Sequence, residues 1–217
     1  MKKPSVWLVL AILLGLAPLI HLALVWPQLP AQVPVHFNIR GEADRMGSAA
    51  TLWGLAALPL ASLAFMLVLP RIDPKRQLDA HNANFQKMLL ALMASLAAFG
   101  VMITRAAQVG YVAGNWVSLI LSGMYVLLGN YMVAVPPNYF AGIRTPWTLE
   151  NPVVWQRTHR VGGRAMVGAG LLGLLVSWLL PGPATTSVVL GVLMAVPLGA
   201  AVYSYVVWRQ LRAGQPA

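Results

Sequence analysis

The chain has 217 residues, 59% of them hydrophobic and only 9% charged, with a mean hydropathy of +0.70; soluble domains carry about a quarter charged residues, so this composition points to a membrane protein. The net charge of +10 raises nucleic acid as a partner, yet the basic residues fall almost wholly between apolar runs, where they set topology and meet anionic lipid headgroups; direct nucleic-acid binding is not expected. With no cysteine, disulfides, thiolate catalysis and cysteine metal sites are excluded.

The chain begins MKKPSVWLVLAILLGLAPLIHLALVW. Its apolar core from Val6 to Trp26 is longer than a signal-peptide core and is followed by no convincing small-x-small cleavage site, so it reads as a retained first transmembrane helix. Five further runs follow at Thr51–Leu69, Met88–Thr104, Trp116–Val135, Ala165–Leu180 and Thr186–Trp208. Each crosses about 30 Å of hydrocarbon as a helix, the third and fifth with interfacial extensions. The expected fold is therefore all-α, a polytopic membrane protein of six transmembrane helices forming one domain over 1–217. Connections fall at 27–50, 70–87, 105–115, 136–164 and a Pro-Gly turn at 181–185, with a polar helical extension of the third span expected from Gln77 onward.

Orientation follows from the basic residues. With the N-terminus inside, cytoplasmic segments hold Lys2, Lys3, Arg71, Lys75, Arg76, Lys87, Arg144, Arg157, Arg160, Arg164, Arg209 and Arg212, against Arg40, Arg45 and Arg105 outside. That bias places both termini in the cytoplasm. Trp7 and Trp208 fall at inner helix ends, and Trp26, Trp53, Trp116 and Trp178 at outer ends, as an aromatic belt requires. Ala165, Ala169 and Gly173 on the fifth helix, and Gly191, Ala195 and Gly199 on the sixth, form small-residue stripes expected to pack helices closely. Pro18, Pro59 and Pro197 sit inside helices.

Two polar segments stand out. In the outer loop LPAQVPVHFNIRGEADRMGS (29–48), VPVHFNI reads as a short strand ended by Arg40-Gly41, and Asp44 and Arg45 pair with each other or with Glu42 and Arg40. Two readings stand: a capped loop holding helices one and two, favoured by the chemistry alone, or a recognition surface of His36, Asn38, Asp44 and Arg45. A metal site at His36, Glu42 and Asp44 has too few ligating side chains, so no metal is expected.

The inner segment NYFAGIRTPWTLENPVVWQRTHRVGGR (138–164) holds four arginines, two tryptophans and a histidine. Asn151 caps a short helix expected over Pro152–Arg160, with Trp155 and His159 four residues apart on one face. Two readings stand about level, interfacial anchoring and a packed re-entrant element, with the amides and hydroxyls of Asn138, Tyr139, Thr145, Thr148, Asn151 and Thr158 counting toward the second. No carboxylate lies inside a span, and no hydrolase motif or phosphate-cradling glycine loop appears, so catalysis and cofactors are not expected.

The two segments resemble the SdpI family: LPAQVPVHFNIRGEADRMGS is similar to its first-half signature, and GNYMVAVPPNYFAGIRTPWTLENPVVWQRTHRVGGR to its second. The resemblance implies a six-span, non-enzymatic bacterial inner-membrane protein giving immunity to a secreted toxic peptide, and a further role in holding a cytoplasmic transcriptional repressor at the membrane. It maps recognition onto His36, Asn38 and Asp44 outside, with Pro34 and Gly41, and onto Asn130, Asn138, Tyr139, Arg144, Thr145, Trp147, Thr148, Trp155, Thr158, His159 and Arg160 inside, with Gly142, Pro146 and Gly163. The chain departs from the family at Arg45-Met46-Gly47, where an aromatic residue is expected. The alternative is a lipid or small-molecule transporter whose arginine-rich inner segment grips an anionic group. Membrane lipids are partners on every reading.

Overall fold

A computed structural model describes residues 5–38, 40–112, 114–180 and 182–214. Lys2 and Lys3 of the topology count, Ile39 of the expected outer strand, Ala113 and Pro181 of the expected turns lie outside the described residues. Among the described residues, seven α-helices run in chain order: α1 Val6–Val25, α2 Thr51–Ile72, α3 Ala83–Val109, α4 Trp116–Met132, α5 Pro146–Glu150, α6 Pro152–Leu179 and α7 Pro183–Ala213. Five are long and apolar enough to cross a membrane, and α4, with 17 residues, is a shorter apolar rod beside them. The all-α polytopic expectation holds, with one addition at the hairpin end. There β1 (Gln32–Phe37) pairs antiparallel with β2 (Ala43–Ser48), Val33 opposite Gly47 and Phe37 opposite Ala43.

The helices bury little because lipid covers their outer faces. On α1, Ala11, Gly15, Pro18 and Leu22 form the one buried stripe, while Leu13, Ile20 and Leu24 face outward. Two apolar clusters hold the ends. Leu22, Val33, Leu52, Ala56 and Ala107 pack beneath the hairpin. Leu69, Phe85, Leu89, Met93, Val135 and Trp155 pack at the other end.

Helices α4 and α6 approach at backbone distance. A Cβ on Gly163 would stand 2.7 Å from the Gly129 carbonyl oxygen, and one on Gly170 would stand 2.6 Å from that of Ser122. Ser177 donates from its hydroxyl to Ser118 across the same seam, at 2.9 Å. Small residues therefore replace the hydrophobic effect as the means of association, as expected within lipid.

Several expectations need correction. The helix expected over Pro152–Arg160 is not separate from the fifth span; α6 is continuous from Pro152 to Leu179. The polar helical extension of the third span is present but starts not at Gln77 but at Ala83, where the Asn82 side chain accepts from the amides of Asn84 and Phe85. The Gly191, Ala195 and Gly199 stripe faces outward, and a Cβ on Gly191 or Gly199 would meet nothing within 4 Å; α7 packs through Val189, Leu193, Ala200, Ser204 and Val207. On α6 the close-packed glycines are Gly163, Gly170 and Gly173, while Ala165 is exposed.

Candidate functional site: a hydrogen-bonded cap and a distant hairpin

Residues 133–151 fold back over one end of the bundle as a cap, and its polar side chains are spent on its own backbone. Asn138 is wholly buried and serves as a hub. Its amide nitrogen donates to the carbonyls of Pro136 (2.8 Å) and Ala141 (2.9 Å), and its oxygen accepts from the amides of Phe140 and Ala141. Thr145 and Thr148 form a reciprocal cap on α5, and the Thr148 hydroxyl also reaches the Ile143 carbonyl at 2.9 Å. An irregular segment beside lipid has to satisfy its backbone this way.

Helix α6 supplies the pillar. The Trp155 indole N–H donates to the Val135 carbonyl at 2.8 Å, and its ring stacks on His159 with centroids 4.0 Å apart. His159 accepts the Ile143 amide at Nε2 (3.0 Å) and lies 2.9 Å from the Trp155 carbonyl through Nδ1. Since Nε2 is the acceptor, Nδ1 carries the proton and the ring is neutral in this arrangement. Gly142, at φ +115°, lets the chain pass His159; a Cβ there would stand 2.3 Å from Nε2.

The cap is also tied to other helices. Thr145 and Ser204 of α7 share a hydrogen bond at 2.9 Å, and the Trp147 ring lies 5.1 Å from Tyr205 and 6.3 Å from Trp208. Lys75 donates to the Leu149 carbonyl and sits over the Tyr139 ring. Asp73, only 1% exposed, accepts the Tyr139 amide at 3.1 Å through Oδ1, while its Oδ2 has no hydrogen-bond partner among the described residues. Sequence reasoning missed Asp73, which reads as the first residue of an Asp-Pro turn; nothing local indicates its bond to a residue 66 positions later. Thr158 is buried, with no hydrogen-bond partner for its hydroxyl oxygen among the described residues.

The cap thus gathers Asn138, Tyr139, Arg144, Thr145, Trp147, Thr148, Trp155 and His159. Arg144 is exposed and donates to the Tyr139 carbonyl. Arg157, Arg160 and Arg164 project from α6 into the surroundings, with no carboxylate partner among the described residues. Asn130 is not drawn in; it is exposed near the end of α4 and its side chain forms no hydrogen bond among the described residues.

The other predicted residues lie at the opposite end of α2. His36 pairs with Asp44 at 2.6 Å, and Glu42 accepts from Asn38 at 2.8 Å and Arg40 at 3.1 Å. These pairings replace the expected partners of Asp44, and all are exposed. Hydrogen bonds from Asn38 and then Arg40 hold the Glu42 carboxyl below its ordinary value. The hairpin is docked by Val33 and by Gly41, whose carbonyl accepts the Val112 amide at 2.9 Å. Beneath it lies a cavity of about 440 Å³ lined by hairpin residues, Leu55 of α2, Ile103 of α3, Val117 of α4 and Thr186 and Leu190 of α7.

Most of the cap, α6 and most of α7 coincide with a family match. Residues 134–207 match the SdpI/YfhL protein family. Residues 3–63, covering α1, the hairpin and the start of α2, match a domain of unknown function (DUF1648). Along 179 residues, 82% of this chain and 83% of the relative, the sequence is 21% identical to the Bacillus subtilis (strain 168) protein named Immunity protein SdpI. No solved structure matches. The resemblance read from the two polar segments is thereby upheld, and the apolar helices with it make this a multi-pass bacterial membrane protein. Within the matched segment, Asn138, Thr145, Thr148, Trp155 and His159 hold the cap closed.

Proposed function

We propose that this protein is a non-enzymatic membrane immunity protein, with its hairpin outside the cell and its cap in the cytoplasm. The observation that carries this reading is the cavity of about 440 Å³ beneath the hairpin, in a chain similar across most of its length to an immunity protein. Its walls are mainly apolar and its rim carries His36 and Asn38. That combination suits an apolar side chain of a membrane-active peptide, with the polar rim fixing its backbone. The bias of basic residues toward the cap end supports the sidedness.

Expression in a peptide-sensitive host tests it. Wild type should protect against a secreted peptide encoded beside its gene, and Leu190→Trp, which fills the cavity, should abolish protection at unchanged membrane abundance. Absence of protection by the wild type against every such peptide would overturn the immunity reading.

A second reading draws on the unpaired arginines at the cap. Arg144, Arg157 and Arg160 form a cationic face suited to an acidic surface on a cytoplasmic protein, such as a repressor held at the membrane. Alanine at all three should abolish its co-purification without reducing insertion; retained capture would exclude that face.

A further inference from the structure

A long groove opens on the lipid-facing side of α3, between α1 and α4. Its part nearer the hairpin has a volume of about 700 Å³ and its part nearer the cap about 500 Å³. The two share Leu14 and Ala94, so they adjoin end to end along the bundle surface. Its floor is made of small side chains, Ala91, Ala94, Ala97 and Ala98, on the helix where bulky residues would fill the gap. Its walls are the apolar flanks of α1 and α4.

Each end carries one cation. Arg105 lines the hairpin end and Lys87 the cap end. On α3 they are 18 residues apart, about 27 Å at a rise of about 1.5 Å per residue, which matches the roughly 30 Å hydrocarbon thickness of a bilayer. Neither is in an ion pair among the described residues; Arg105 donates to Gln108, and Lys87 sits over the Trp7 ring. Trp116 and Tyr111, both more than half exposed, mark the headgroup level beside Arg105.

We infer that this groove holds the acyl chains of acidic phospholipids, one from each leaflet, with Arg105 and Lys87 gripping their phosphates. An apolar channel with a cation at each headgroup plane is complementary to two opposed anionic lipids. A helix from a second copy or from a toxin would match the apolar floor and leave both cations without counter-charge. The inference needs only the membrane embedding and is independent of the immunity reading.

Native mass spectrometry of the full-length protein, purified in mild detergent with phosphatidylglycerol and phosphatidylcholine in competition, tests it. Wild type should retain phosphatidylglycerol in preference. Arg105→Gln and Lys87→Gln should each cut retention about fivefold, the factor corresponding to about 1 kcal/mol per surface cation. Ala98→Trp should displace lipid by filling the groove with both charges intact, whereas Arg45→Gln on the exposed hairpin should change nothing. Equal retention of phosphatidylcholine would overturn the inference. So would wild-type retention in Arg105→Gln, or loss in Arg105→Gln with none in Ala98→Trp, which leaves charge alone as the cause.

Discussion

Gly142→Ala is the sharpest probe of the cap, because two costs act at one atom. At φ +115° a side chain is strained, by roughly 1–2 kcal/mol on the scale set for left-handed backbone. The new Cβ would also stand 2.3 Å from His159 Nε2, so the ring must move and release the Ile143 amide. A partly buried donor left unpaired costs about 1–3 kcal/mol, giving a total of roughly 2–5 kcal/mol. Hydrogen–deuterium exchange of peptides covering 138–148 reads this locally, because the cap can open without the bundle unfolding. A cycle with His159→Ala separates the terms. Removing the ring relieves the clash, so Gly142→Ala should cost only its backbone strain in that background, with a coupling of about 1–3 kcal/mol. An equal cost in both backgrounds would refute the account of His159 as the contact that demands glycine.

Three further outcomes follow from the same geometry. Gly163→Ala should lower the thermal midpoint in detergent, by a destabilisation of about 1–3 kcal/mol from overpacking against the Gly129 carbonyl; Gly199→Ala, in open surroundings, should be neutral or raise stability by about 0.5–1 kcal/mol. Asn138→Ala should cost about 3 kcal/mol or more by removing four hydrogen bonds at a buried hub, read as faster proteolysis of the cap in inside-out vesicles. At the hairpin, Glu42 has a folded value below its ordinary 4.5, so its stabilisation is present above about pH 4.5 and disappears as pH falls through the folded value. A carboxyl NMR titration should place its midpoint below 4.5, and Asn38→Ala should move it upward.

The helices and the folded-back character of the inner segment were legible because each rests on a local quantity. Apolar run length identifies a span, and too many amides and hydroxyls beside lipid identify a backbone that needs them. The Trp155 and His159 pairing was likewise a matter of helical spacing. Strand β2 was not legible. Ala43-Asp44-Arg45-Met46-Gly47-Ser48 has no β-branched or aromatic residue, and its extended state comes from pairing with β1. The continuity of α6 was not legible, because the apolar run starts only at Ala165 and Arg160, Gly162, Gly163 and Arg164 precede it. In the fold those glycines admit Ile143 on one side and α4 on the other: a Cβ on Gly162 would stand 2.4 Å from the Ile143 side chain. The outward stripe on α7 failed for a related reason. Small residues permit close approach but do not say whether a neighbour is there.

The division of labour at the cap has a consequence for recognition. Asn138, Thr145, Thr148, Trp155 and His159 make the segment identifiable, yet their polar atoms are already committed to the cap's own backbone and to each other. A partner arriving from that side meets Arg144, Arg157, Arg160 and the exposed ring of Tyr139 instead. The two sets should therefore respond differently to mutation. Changes at the hub open the cap and alter every property that depends on it. Changes at Arg157 and Arg160, which make no bond to the cap among the described residues, leave it closed and alter binding alone, in a manner that added salt should mimic, since exposed charges are screened within about 10 Å at 0.1 M ionic strength. A buried hub residue whose replacement abolished partner capture while cap exchange stayed at the wild-type rate would contradict this separation.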